Sequence, residues 1–107
     1  MATVKWNKRP RKLWREALVY GHVEFGKTAA LRFVHKTNKM VAQLEKFPET
    51  GAPERLLQNR KAMYRSYHLL PHLKIIYRYY PSSDMVRIVD VWNTRMNPKT
   101  LAKRIKQ

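Results

Sequence analysis

Four basic side chains are candidates to act on the phosphodiester bond of an RNA. Arg65, Lys74 and Arg78 fall inside runs rich in β-branched and aromatic residues, and Arg95 follows a third such run. RNA cleavage through the 2′-hydroxyl needs a base, an acid and cations that stabilise the charge of the phosphorane. Lysine, arginine, histidine and tyrosine can supply all three without a metal. The alternative for each of these four cations is a solvated position on a strand.

Other catalytic groups are absent from the sequence or scattered along it. The chain has no cysteine and three glycines, and its carboxylates are two aspartates and five glutamates that do not cluster. His68 and His72 flank a turn without a third ligand beside them. No set of residues reads as a magnesium site, a zinc site or a glycine-rich phosphate loop. We therefore predict no metal and no cofactor, which leaves metal-free phosphate chemistry or the binding of polyanions.

The charge of the chain indicates its partners. Lysine and arginine number 23 against 7 acidic residues, for a formal net charge of +16 in 107 residues. A field of this size attracts polyanions, so we expect nucleic acid, the ribosome or an acidic protein as the partner; an inert basic surface is the alternative. There is no apolar N-terminal core and no apolar run of about 20 residues. We expect a soluble, cytoplasmic protein that does not engage a membrane.

Three strand-like runs separated by turn residues predict an antiparallel meander. They are Ala62–Leu69, Leu73–Tyr80 and Met85–Trp92. Because side chains alternate across a strand, the second run should have one packing face and one cationic face. The packing face carries Ile75, Tyr77 and Tyr79, and the cationic face carries Lys74, Ile76, Arg78 and Tyr80. The third run is apolar on both sides, which is typical of a strand inside a sheet.

Helical periodicity surrounds this meander. Apolar residues at steps of three and four predict a first helix over residues 10–23, and a second helix that begins with Thr28 as its cap and ends at Phe47 before Pro48. If Phe47 is fully buried, its replacement by alanine costs about 3 to 5 kcal/mol. Asn97 and Pro98 should open a short last helix, in which Leu101 and Ile105 face inward and Lys106 faces outward. The expected fold is α+β: one domain over residues 1–107, with a helical hairpin on one face of a small antiparallel sheet.

The amino-acid sequence resembles the RelE/ParE superfamily of toxins from type II toxin-antitoxin systems, often labelled plasmid-stabilisation proteins. The similarity covers nearly the whole chain, and the segments that carry it are Val4–Trp6, Leu44–Gly51, Tyr64–Ser66, Ile75–Arg78 and Trp92–Pro98. The superfamily contains ribosome-dependent mRNA endonucleases and inhibitors of DNA gyrase. The resemblance therefore implies a growth-inhibiting toxin that a cognate antitoxin neutralises, and an acidic antitoxin tail would suit the basic surface.

The resemblance also implies roles for individual residues. Arg65 stands where RelE-like nucleases carry a strand lysine, Lys74 where they carry an arginine, and Arg95 matches the arginine after the last strand, so these three are the candidate catalytic residues. We expect Arg65 and Arg95 on the open face of the sheet. Tyr67 replaces a second strand lysine, and Leu101 replaces a tyrosine that stacks on the substrate base. The candidate substrate-binding residues are Tyr67, His68, Arg78 and Lys61.

The resemblance leaves three functions open. The nuclease members of the superfamily and the net charge of +16, which suits the ribosome, favour mRNA cleavage on the ribosome by a metal-independent endoribonuclease. The sequences of the predicted strands resemble those of ParE-like members, so inhibition of DNA gyrase is the alternative. A nucleic-acid-binding module that has lost catalysis is the third possibility, and its binding would weaken steeply with salt.

Overall fold

The structure, a computed structural model, describes residues 1–105 and has the α+β architecture expected. The elements in order are β1 (Thr3–Trp6), α1 (Lys8–Phe25), α2 (Lys27–Lys46), β2 (Ala52–Pro53), β3 (Tyr64–Leu70), β4 (Leu73–Tyr80), β5 (Met85–Asn93) and α3 (Pro98–Arg104), with short 3-10 helices at Arg55–Leu57 and Pro81–Ser83. The predicted helical hairpin and meander are confirmed. Strand β2 and the first 3-10 helix are additional elements between α2 and β3. Lys106 lies outside the described residues.

The sheet is mixed rather than purely antiparallel. Its strand order is β1-β5-β4-β3-β2. Strand β1 runs parallel to β5, and the other neighbours are antiparallel. Strand β5 therefore lies between β1 and β4, which confirms its predicted place inside the sheet and explains why it is apolar on both sides.

A β-bulge in β5 changes the face to which its side chains point. Ile76 pairs with Asp90 and Tyr77 with Ile88, so Val89 is the extra residue between them. Before the bulge, Val86 and Ile88 belong to the core under the helices; after it, Trp92 belongs to the core on the opposite face. Because one inserted residue shifts the alternation, the bulge lets β5 supply apolar side chains to both faces.

The helical hairpin covers one face of the sheet, which we call the hairpin face. Met40 and Leu44 of α2 pack there against Ile75 and Tyr77 of β4. Trp14 of α1 stacks on Phe33 with ring centroids 5.6 Å apart, and its Nε1–H donates to the Thr37 hydroxyl at 2.9 Å. The polar atom of this large ring is thereby satisfied inside the core.

The opposite face is partly covered as well, and we call it the α3 face. A second core there comprises Leu57, Tyr64, Ile76, Trp92, Leu101 and Ile105. Helix α3 brings Leu101 and Ile105 to it, as their spacing predicted. The Asn97 side chain caps this helix by accepting from the Lys99 N–H at 3.0 Å. The sheet is thus covered at its centre on both sides, and clefts are left at the two ends of the α3 face.

Two predicted helix ends differ from the structure. Helix α2 begins at Lys27 after Gly26, whose φ of 93° suits glycine, so Thr28 lies inside the helix rather than capping it. Phe47 follows the helix and is 58% exposed. The prediction that Phe47→Ala costs 3 to 5 kcal/mol required full burial, and it is wrong for this side chain; we now expect a change within about 0.5 kcal/mol.

Candidate functional site

The predicted site residues are divided between the two faces of the sheet. Arg65 pairs with Tyr77 and Tyr67 with Ile75 across β3 and β4. Since Tyr77 and Ile75 belong to the core under the helices, Arg65 and Tyr67 also lie on the hairpin face. The prediction that Arg65 lies on the open face is therefore wrong.

The α3 face carries the other strand candidates. His68, Lys74 and Arg78 all lie on this side, because they alternate with the residues that point into the helical core. Lys61 lies exposed in the loop before β3, and Arg95 lies exposed in the turn after β5. The structure therefore brings Lys74 and His68 together and places Arg65 on the other side of the sheet.

The first site of interest is a cleft of about 440 Å³ at the β3–β4 turn end of the α3 face, which we call the Lys74 cleft. Lys74 of β4 and Trp92 of β5 are directly opposite each other in the sheet. His68 of β3 is opposite Lys74 on its other side. A histidine, a lysine and a tryptophan thus form a row across three strands, and the tryptophan is buried at the base of the cleft.

A buried carboxylate compensates the charge of Lys74. Glu54 forms an ion pair with the Lys74 ammonium through Oε1, and its Oε2 accepts from the Leu56 N–H at 2.9 Å. The Glu54 side chain is 2% exposed and the Lys74 side chain is 13% exposed. Glu54 caps the 3-10 helix at Arg55–Leu57, so the same turn that closes the loop also holds the counter-charge. An ammonium that is paired with a buried carboxylate is less available to a substrate phosphate than a free one.

Arg65 is held by the turn between α2 and β2. Its guanidinium donates to the Gly51 carbonyl at 2.9 Å and lies 3.5 Å from the Glu49 carboxylate. The Gly51 N–H donates to the Tyr77 hydroxyl at 2.8 Å. Both the N–H and the carbonyl of Gly51 are therefore hydrogen-bonded to side chains of the sheet. Burial raises the pKa of the Tyr77 hydroxyl, and the hydrogen bond from Gly51 opposes this rise. The contacts of Arg65 are those of a side chain that fixes a turn.

Glycine is required at position 51. A Cβ atom there would lie 2.7 Å from both the Ser66 carbonyl oxygen and the Tyr77 hydroxyl. Since these contacts are shorter than real Cβ atoms tolerate, a larger residue would push the turn off the sheet. The segment Leu44–Gly51, one of those that carry the family resemblance, thus encodes the docking of the helical hairpin onto β3 and β4.

Arg95 borders a different concavity, which we call the hairpin groove. This groove of about 870 Å³ lies between the helical hairpin and the β3–β4 turn. Its apolar lining includes Leu18, Phe33 and Leu73, and cations from both helices and the turn stand at its border, namely Arg32, Lys36 and Arg95. The side chains beside it on the hairpin include Tyr20 and Phe25, which are 61% and 71% exposed. A groove of this kind suits an amphipathic segment with acidic residues.

Glu54 is the residue that sequence reasoning missed. It is the single acidic residue in the basic segment from Ala52 to Lys61. That position was the available signal, since an isolated carboxylate among cations is a natural ion-pair partner. What the sequence did not reveal is that the loop folds back to place Glu54 under Lys74.

Among residues 1–105, neither a metal site nor a membrane span is found. No group of three or more histidine, aspartate or glutamate side chains could hold a metal ion. No helix in this part of the chain is both long enough and apolar enough to cross a bilayer.

The sequence family is shown by a match over most of the chain. The sequence model of the family described as the ParE toxin of the type II toxin-antitoxin system, parDE, matches residues 4–98. The chain belongs to this family. The matched range includes both helices of the hairpin, the whole sheet apart from Thr3 and the start of α3. A search of curated protein sequences finds no match.

Solved structures share the fold of this ParE-family chain. The chromosomal ParDE system from P. aeruginosa matches with a TM-score of 0.67 at 17% identity, covering 89% of this chain and 98% of that one. The intact E. coli RelBE toxin-antitoxin complex matches with a TM-score of 0.60 at 14% identity, covering 90% and 100%. The YoeB dimer from S. aureus gives 0.58 at 14% identity, covering 85% and 94%. These likenesses confirm the predicted RelE/ParE-like fold.

Proposed function

We propose that this toxin of a type II toxin-antitoxin system stops growth by binding DNA gyrase and does not cleave RNA. The observation that carries the proposal is the ion pair between Lys74 and the buried Glu54. The sequence favoured mRNA cleavage because Arg65, Lys74 and Arg95 were expected to stand free around one substrate. Family membership together with a compensated Lys74 now favours the ParE-like alternative.

Metal-free RNA cleavage requires cations that face the reacting phosphate without an internal counter-charge. Arg65 donates to Gly51 and pairs with Glu49 on the hairpin face, while Lys74 pairs with Glu54 on the α3 face. Arg95 borders the hairpin groove. Opening the Lys74 pair to receive a substrate would leave a charge buried beside Trp92, which costs several kcal/mol. These contacts favour a toxin that acts by binding its target rather than by cleaving RNA.

Ribosome-dependent mRNA cleavage remains the second candidate, and one observation favours it. His68 is exposed and lies directly across from Lys74 on the same face. A histidine next to a cation can act as the base for a 2′-hydroxyl. The net charge of +16 would also suit the ribosome.

The antitoxin that we propose as partner presents an acidic, amphipathic segment to the hairpin groove. Apolar side chains line this groove, and Arg32, Lys36 and Arg95 stand at its border. A segment with apolar residues on one side and carboxylates on the other would bury the first and pair the second. Such antitoxin tails commonly fold on binding.

The test measures both targets with the same purified chain. Gyrase is assayed for supercoiling of a relaxed plasmid, and a translation extract is assayed for new 5′ ends on a message. We expect loss of supercoiling and an intact message. Cuts inside ribosome-covered codons with normal supercoiling would overturn the proposal in favour of mRNA cleavage. No effect in either assay would point to the non-toxic binding module.

A histidine variant sharpens the distinction inside cells. His68→Gln removes the base that cleavage would use, and His22→Gln removes an exposed histidine of α1 as the matched control. If gyrase is the target, both variants should arrest growth as the wild type does. If mRNA is cleaved, His68→Gln alone should slow the cleavage by about 10²-fold or more.

A further inference from the structure

The far end of the α3 face holds a second cleft that is lined by four arginines among its nine residues, and we call it the arginine pocket. It has a volume of about 380 Å³ and lies between β4, β5, the end of α3 and the start of α1. Four arginines and two tyrosines line it: Arg9, Arg78, Arg87, Arg104, Tyr64 and Tyr80. Lys74 and Arg78 are four residues apart on β4, so this pocket lies about 13 Å along the strand from the Lys74 cleft.

Two of these arginines face each other across the sheet. Arg78 and Arg87 are directly opposite in the pairing of β4 with β5. Like charges in such a position destabilise a sheet. Arg78 lies over the Tyr80 ring at 4.4 Å, and Arg87 donates to the Asn7 side-chain oxygen at 2.9 Å. Neutral partners therefore hold both guanidinium groups without cancelling their charge.

Among residues 1–105, Asp90 provides the carboxylate that pairs with an arginine of this cluster. Asp90 is fully buried beneath it, and its Oδ1 lies 3.1 Å from an Arg104 nitrogen and 2.9 Å from the Val91 N–H. Asp90 can compensate at most one of the four arginines, so at least three positive charges remain at one concave site. None of the residues lining the pocket, all of which are described, is acidic. An anion from outside would relieve this repulsion.

The donor-rich lining favours a phosphodiester over a peptide. Arginine forks match phosphate oxygens with two parallel hydrogen bonds. A phosphodiester brings only acceptors, whereas a peptide strand also brings N–H donors that need acceptors of their own. The Asn7 side-chain oxygen is already used by Arg87. Tyr80, which is half-buried, can stack on a base or pack against a sugar.

We propose that the arginine pocket binds the phosphodiester backbone of a nucleic acid. This site is separate from the Lys74 cleft and from the hairpin groove, and it does not depend on the gyrase proposal. In a toxin that acts on gyrase, it would contact the DNA that the enzyme holds. In a toxin that acts on the ribosome, it would contact RNA.

The experiment measures binding of the purified chain to a short fluorescein-labelled DNA duplex and to an RNA strand of equal length, over a range of salt. The variant is Arg78→Gln/Arg87→Gln. The matched control is Arg15→Gln/Lys39→Gln, which removes the same charge from exposed positions of the hairpin outside the hairpin groove. We expect the pocket variant to bind roughly ten-fold more weakly, with a DNA salt slope smaller by about 1.8, since each phosphate contact contributes about 0.9. The control should stay within about two-fold of the wild type.

Several outcomes would overturn the proposal. Equal weakening in both variants would mean that only net charge matters, and wild-type binding by the pocket variant would mean that the pocket does not touch nucleic acid. Polyglutamate is tested as a third ligand. If the pocket variant loses binding to polyglutamate but keeps binding to both nucleic acids, the pocket belongs to an acidic protein instead. A preference for the duplex or for the RNA strand identifies the source of the phosphate, and either preference supports the site.

A lysine variant separates charge from geometry and covers a failure of the glutamine variant to fold. Arg78→Lys/Arg87→Lys keeps both charges but removes the guanidinium forks. We expect binding weaker than that of the wild type with an unchanged salt slope. Wild-type affinity in this variant would overturn the assignment of bidentate phosphate contacts. The melting temperature of the glutamine variant should equal or exceed that of the wild type, because a like-charge pair is removed.

Discussion

The two ends of the α3 face differ in whether their positive charges are neutralised by an acidic side chain. At one end, the buried Glu54 neutralises Lys74. At the other, Arg78 and Arg87 face each other, and neutral side chains hold them. The same strand, β4, supplies a cation to both ends. A charge that is paired inside the protein serves the fold, whereas a charge left unpaired at a concave surface is available to a ligand.

The largest effect should come from breaking the compensated end. Glu54→Gln keeps the shape and the hydrogen bond from Leu56 but strands the buried ammonium of Lys74. We expect the free energy of unfolding to fall by about 3 to 5 kcal/mol, measured by urea denaturation. The control is Glu49→Gln, whose exposed carboxylate pairs with Arg65 and whose loss should cost less than about 1 kcal/mol.

Removing both partners tests the cause of that loss. Glu54→Met/Lys74→Met should recover most of the stability, because well-packed apolar side chains often replace a buried ion pair at little cost. Equal losses in the single and double variants would show that the geometry of the turn matters more than the charge.

Asp90 should have a smaller effect, although it is the more deeply buried carboxylate. Burial raises the pKa of Asp90, and the nearby Arg104 opposes this rise without cancelling it. The ionised carboxylate is therefore less favourable in the folded chain than in the unfolded chain, so its removal should cost less than the removal of Glu54. We expect Asp90→Asn to change the free energy of unfolding at neutral pH by less than about 1 kcal/mol.

The pH dependence of this effect has a defined sign. A pKa that is raised on folding contributes stability that is fully present below the ordinary aspartate pKa and is lost as pH rises through the raised pKa. The wild type should therefore gain stability relative to Asp90→Asn as the pH is lowered from neutral. A loss of several kcal/mol by the variant at neutral pH would instead show that the ionised pair with Arg104 dominates.

The smallest effect should be a gain at the uncompensated end. Arg87→Gln removes one member of the cross-strand pair with Arg78, and we expect an increase of about 0.2 to 1 kcal/mol in the free energy of unfolding. The gain should shrink at high salt, since ions screen the repulsion in the wild type. Destabilisation at every salt concentration would show that the contact with Asn7 outweighs the repulsion.

Much of the fold was predictable because it depends on local patterns. Alternation in the run from Leu73 to Tyr80 identified β4 and separated its faces, and the spacing of Leu101 and Ile105 identified the buried side of α3. The residues of the segment Leu44–Gly51 pointed to the family. These features follow from the side-chain periods of helices and strands, which sequence shows directly.

The pairing of charges was decided by tertiary structure alone. No local sequence pattern predicts that the segment after β2 brings Glu54 to Lys74. The same is true of the contact between Arg65 and Gly51 on the hairpin face. The bulge at Val89 likewise sets which β5 side chains share a face with α3. The sequence determined which residues are cations and which strands carry them. Only the three-dimensional packing determined which cations are neutralised, because the partners lie far apart in the chain and meet through the sheet.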